Sequence, residues 1–154
     1  MKKAFTIIEL VFVIVIIGLL AAIALPKLNV TRTDAKVITT IANLKQLTID
    51  VASFYSARGE SDWMNANVPL VTNTPLFTSI DCKTQATSST TFIGTSLYIC
   101  DDNSYVLKID ANRTHLSFSK NSSNNSLIAK GVYNSKTFKA LKSSIKLSRV
   151  NVKS

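Results

Sequence analysis

Glu9 stands directly before Leu10–Leu25, sixteen residues that carry no charge and no side-chain hydrogen-bonding group. Burying a carboxylate in such a segment costs several kcal/mol, with estimates starting at about 2.5, so a cationic partner is expected for it. The other residues that could do chemistry are sparse. Cys82 and Cys100 have seventeen residues between them, form no CxxC pair, and cannot complete a zinc set with the one histidine, His115. They read as a disulfide if this part of the chain is exported, and as two buried thiols in a reducing compartment. A Ser/His/Asp triad would have to use His115, which sits in a polar stretch and reads more simply as an exposed structural histidine. Gly18, Gly59, Gly94 and Gly131 are too dispersed for a phosphate-cradling loop. Asp101, Asp102, Asn103 and Asp110 could gather around calcium, but Tyr105 at the fifth position breaks the EF-hand pattern, and turn chemistry is the expectation. No cofactor, no metal and no enzymatic activity are expected.

Charge is distributed unevenly. The net charge is +9; residues 111–154 hold nine Lys or Arg and no acid, whereas residues 34–110 hold eight acids and five bases. Opposite signs along one chain suit either attraction between neighbouring subunits or a nucleic-acid surface. On the second reading Lys130, Lys136, Lys139, Lys142, Lys146 and Arg149 would meet DNA phosphates without sequence preference, with Tyr133 and Phe138 interleaved. A solvated charged face is the simpler reading. Asp110-Ala111-Asn112-Arg113-Thr114 resembles the extended acceptor of bacterial N-glycosylation, which needs an acid two residues before the Asn; a turn there would expose Asn112.

Three readings compete for residues 1–30. Lys2, Lys3, the apolar run and Ala22-Ile23-Ala24 fit a secretory signal. The same lysines fit a plain anchor with its amino end in the cytoplasm. Neither gives Glu9 a purpose. The stretch Lys2-Lys3-Ala4-Phe5-Thr6-Ile7-Ile8-Glu9-Leu10 resembles the processing site of type IV prepilins and of the pseudopilins of type II secretion and competence systems, with Ala4 where that family usually has Gly. The resemblance implies that a prepilin peptidase cuts between Ala4 and Phe5 and methylates the new Phe5 amine. It also implies that Glu9 meets that amine on an adjoining subunit and sets axial register, and that Gly18 and Pro26 mark bends in the helix. The partners it implies are the peptidase, other pilin or pseudopilin subunits, an inner-membrane assembly platform and membrane lipid. DNA is a further candidate partner.

The elements that must position these groups follow from periodicity. Phe5–Leu25 as a helix is about 31 Å, one bilayer core. Val37, Ile41, Leu44, Thr48, Val51 and Tyr55, flanked by Ile38, Ala42 and Ala52, form one helical stripe that Gly59 ends. Residues 61–74 read as an irregular connector with one strand. Thr91–Ile93, Leu97–Cys100, Tyr105–Ile109, Leu116–Phe118 and Ile145–Val152 read as strands, with turns at 101–104 and 110–113 and a low-complexity loop at 119–126. The expected fold class is α+β and pilin-like: a long kinked N-terminal helix, transmembrane then amphipathic, packed on a small antiparallel sheet. The expected division is a leader at 1–4, a transmembrane helix at 5–27, and the amphipathic helix with an exported head at 28–154. The head would be periplasmic or extracellular. The alternative is a monomeric exported binding protein, anchored or released. Pilus, secretion pseudopilus and competence filament stay equally open, as do major and minor subunit roles.

Overall fold

The computed structural model describes residues 6–101, 104–141 and 144–147, without the side chains of 24–29. The chain divides into two compact units, Met1–Ala35 and Lys36–Ser154. Helix α1 (Ile7–Arg58) supplies the described helix of the first and the opening element of the second. In the first unit, α1 begins with a reciprocal cap. Glu9 Oε2 accepts from the Thr6 N–H at 2.9 Å and from the Thr6 hydroxyl at 2.8 Å, while Thr6 Oγ1 accepts from the Glu9 N–H at 3.4 Å. Thr-x-x-Glu is the capping-box pattern, and it satisfies donors that the first helical turn leaves free. The helix continues without interruption through Gly18 and Pro26.

In the second unit the buried face of α1 is Thr40, Leu44, Leu47, Val51 and Tyr55, with Val37, Ile41 and Phe54 half-buried. The expected flanks Ile38, Ala42 and Ala52 are exposed instead. The arc is turned toward Phe54 because Trp63 packs there, 6.5 Å from the rings of both Phe54 and Tyr55. Gly59 makes that turn. Its N–H donates to the Tyr55 carbonyl at 2.8 Å, and its own carbonyl accepts from the Trp63 N–H at 3.1 Å. With φ 85 and ψ −175 it occupies a region essentially reserved for glycine. Gly59→Ala should therefore lower unfolding stability by about 1–3 kcal/mol in urea titration.

The connector at 61–74 is irregular as expected, but in place of a strand it holds two short helices, α2 (Glu60–Met64) and α3 (Val68–Val71). Pro69 falls in the first turn of α3, where its missing N–H costs nothing. Thr91–Ile93 is no strand either; Thr91 and Ile93 make single bridges to Asn67 and Ala111 around a fully buried Phe92.

The sheet is antiparallel in the order β1 (Leu97–Cys100), β2 (Tyr105–Ala111), β3 (His115–Lys120), β4 (Ile145–Lys146). Register places Ile109 opposite Leu97 and Phe118, so the alternate residues of three strands feed one core. Val106 and Leu107 are both fully buried, which means β2 is covered on both faces at that end. Of the expected closing strand 145–152, Ile145–Lys146 is strand and Leu147 is buried but outside it; 148–152 lie outside the described residues.

Helices α4 (Leu127–Asn134) and α5 (Lys136–Leu141) had no clear sequence signal, being only eight and six residues long. Ser126 caps α4 by accepting from the Ala129 N–H at 3.1 Å, and its hydroxyl donates to Asp101 at 2.9 Å. The segment before it is ordered by side chains. Asn121 and Asn124 both donate to the Tyr105 carbonyl, at 3.0 and 3.1 Å, so the expected polar loop is found at 121–126 while 119–120 complete β3. Helix α4 lies close to α1: a Cβ on Gly131 would sit 2.7 Å from Val37 Cγ2. Alanine gains about 1 kcal/mol of helix propensity over glycine, but overpacking a stiff β-branched neighbour costs about 1–3. Gly131→Ala should thus destabilise by about 1 kcal/mol, and Gly131→Ala with Val37→Ala should show coupling in a double-mutant cycle.

Candidate functional site

The most unusual surface is on the first unit. Every residue from Thr6 to Ile23 is exposed, including Ile7 at 83%, Phe12 at 66%, Leu19 at 64% and Ile23 at 73%. Soluble monomers seldom expose contiguous apolar patches beyond a few hundred Å², and larger ones mark contact with lipid or protein. Glu9 is the single carboxylate of this surface, held by Thr6 at the start of the helix. Among the described residues no helix is long and apolar enough to cross a membrane. The apolar helix with described side chains runs from Ile7 to Ile23, roughly 26 Å at 1.5 Å per residue. Residues 24–27, the far end of the expected span, have no described side chains. Ala4 and Phe5, the expected cleavage and methylation site, lie outside the described residues.

The basic surface belongs to the second unit. Lys130 on α4, Lys136 and Lys139 on α5, and Lys146 on β4 are all exposed; Lys142 and Arg149 lie outside the described residues. Tyr133 and Phe138, the interleaved aromatics, are committed elsewhere. Phe138 is 4% exposed and its ring lies 5.6 Å from that of Tyr133. The Tyr133 hydroxyl donates to the Val106 carbonyl at 2.8 Å, and burial holds it above the usual phenol range. What these lysines offer an anion is charge without a stacking platform.

The remaining candidates are dispersed by the sheet. Asp101 accepts from Ser126 and from the Ser104 N–H at one end of β2, while Asp110 pairs with Lys108 at 2.8 Å at the other. Five residues of strand separate those ends by about 17 Å, so the two do not converge on one cation. Asp102 and Asn103 lie outside the described residues, and among the described residues no three His, Cys, Asp or Glu gather. His115 contacts the Thr114 hydroxyl through Nδ1 at 2.8 Å, which is turn chemistry. Cys82 and Cys100 form a disulfide with Cα atoms 5.9 Å apart. It ties the irregular segment after α3 to the end of β1, beside the paired backbones of Phe77 and Tyr98. A shallow cleft of about 340 Å³ is lined by Lys36, Asn43, Phe77 and Asp101 among others.

Sequence reasoning gave Glu9 one role and overlooked its second, although the Thr6-Ile7-Ile8-Glu9 signal was legible. It also missed Asp50, whose carboxylate accepts from the Thr72 hydroxyl at 2.6 Å and fastens the end of α3 to α1. That contact joins residues 22 apart and has no local signature.

The molecule is an α+β protein with an N-terminal helix and a four-stranded antiparallel sheet. No family model matches the chain, and neither a curated protein nor a solved structure matches it.

Proposed function

We propose that the chain is a structural, non-enzymatic subunit of a type IV pilus-like filament, made as a membrane precursor, cut before Phe5 and polymerised through α1. The observation that carries this reading is an apolar helix exposed on all sides whose one carboxylate lies at its amino end. Lipid covers that helix before assembly; Ala24 and Leu25 carry the uncharged sequence on toward the roughly 30 Å of a bilayer core, with the head on the outer side. Neighbouring subunits cover it afterwards. Cleavage creates a cationic amine on Phe5 that the precursor lacks, and pairing it with Glu9 of the adjoining subunit offsets the desolvation of both. The disulfide is in keeping with an exported head. The peptidase, sibling subunits and an inner-membrane assembly platform are the partners this reading requires.

Mass spectrometry of the amino terminus of the protein isolated from its own cells tests it. A chain beginning at methylated Phe5 is expected. A start at Leu25 would mean a secreted head, and an intact Met1 would mean a simple anchor; either outcome overturns the filament reading.

A further inference from the structure

The chain contains four Asn-x-Ser/Thr sequences, at Asn29, Asn112, Asn121 and Asn124, and their surroundings differ. Only Asn112 has an acid two residues earlier, Asp110; the other three have Lys27, Ser119 and Ser122 there. The side-chain amides of Asn121 and Asn124 are in use, since both Nδ2 groups donate to the Tyr105 carbonyl and Asn124 donates also to the Ser104 hydroxyl at 2.8 Å. Removing either amide from those contacts would loosen the approach to α4. Asn112 is arranged the opposite way. It is exposed in the turn between β2 and β3, and its Oδ1 accepts from the backbone N–H groups of Thr114 at 3.0 Å and His115 at 2.8 Å. Among the described residues its Nδ2 has no hydrogen-bond partner. The turn is fixed from below, because the Asn112 carbonyl accepts from Trp63 Nε1 at 2.8 Å and the Thr114 carbonyl accepts from the Leu147 N–H at 2.7 Å. A rigid base therefore presents one unengaged carboxamide nitrogen, an acid two residues before it and a threonine two residues after it.

We propose that Asn112 is the acceptor of an N-linked glycan, transferred from a polyprenyl-diphosphate-linked oligosaccharide by a membrane transferase on the outer side. Asn112 Nδ2 forms a bond to the anomeric C1 of the glycan. The C1–O bond to the diphosphate breaks, the lipid diphosphate leaves with the bonding electrons, and Nδ2 gives up one proton to a base of the transferase. No oxidant or reductant is involved. Asp110 carries the charge by which the transferase recognises the site; its partner Lys108 is a half-buried residue on the same strand and the Asp110 carboxylate is itself solvent-exposed, so the pair opens at little cost. A glycan there would sit on the edge of the head next to Arg113, which pairs with Glu60 at 3.0 Å.

The proposal rests on export of the head, which is part of the filament reading, and one measurement separates the two. Intact-mass spectrometry of the full chain from its own cells reads the amino terminus and any sugar as separate increments. The wild type should exceed the mass of its mature polypeptide by a series of sugar residues. That increment should vanish in Asn112→Gln, fall at least tenfold in occupancy in Asp110→Asn, and survive in Asp110→Glu. Asn112→Gln also weakens the turn, so Asp110→Asn, which leaves Asn112 and Thr114 in place, carries the test if the first variant does not accumulate. A wild-type chain that starts at Phe5 with no added mass overturns this proposal and leaves the filament reading standing. An increment that survives Asn112→Gln overturns it as well.

Discussion

Glu9→Gln is expected to lower filament yield by more than about a hundredfold while leaving membrane insertion unchanged. Taking one partner from a desolvated ion pair costs about 3–5 kcal/mol, because the other charge is left buried alone. The substitution suits the question because of the cap that opens α1. Glutamine keeps an oxygen that can accept from the Thr6 N–H, so the helix start is preserved and only the charge is lost. Thr6→Ala is the complement: it weakens the cap by about 1 kcal/mol and keeps the carboxylate. Filaments should therefore persist in Thr6→Ala and fail in Glu9→Gln, counted by electron microscopy beside a fractionation assay for the membrane-bound precursor. Equal yields from Glu9→Gln and the wild type would remove the charge from the assembly mechanism. Failure of both variants would assign Glu9 to helix capping.

The second large effect is on the head. Replacing Cys82 and Cys100 together should cost about 3 kcal/mol, the loop-closure entropy of a cross-link spanning 18 residues. For a unit of this size that is a fall in Tm of roughly 10 °C. The choice of replacement matters at Cys82, whose φ of 60 lies in the left-handed region. An L side chain there costs about 1–2 kcal/mol that glycine does not. Cys82→Gly with Cys100→Ala should consequently be more stable than Cys82→Ala with Cys100→Ala, by differential scanning calorimetry. If both pairs match the wild type in Tm, the cross-link is not what holds the segment after α3 to β1.

Local order carried much of the fold into view. Strand β1 matched its expected range, Leu97–Cys100, because aromatic and β-branched residues lay between good turn sequences. Strand β2 ran two residues past Ile109, and its turn shifted to Asn112–Thr114, because Ala111 pairs with Leu116 once the sheet forms. The helix at residues 7–58 was legible for a different reason: a long apolar run followed by a stripe leaves few alternatives. The stripe's exact face was not, since Phe54 packs against a tryptophan on the next helix and Leu47 is fully buried in the core.

What the amino-acid order determined alone is whatever neighbours in sequence decide between themselves: a capped apolar helix, a glycine that must end it, three hairpin-linked strands and an unusual acid at position 9. Only the tertiary structure decided that Asp101 and Asp110 stand at opposite ends of one strand, that Tyr133 and Phe138 face inward, and that Gly131 lets α4 touch Val37. It added to the acid before Asn112 a second difference from Asn121 and Asn124, whose side-chain amides are engaged with the Tyr105 carbonyl. Those outcomes depend on contacts across many residues of chain, and their energies come from packing and shared hydrogen bonds that no local window contains.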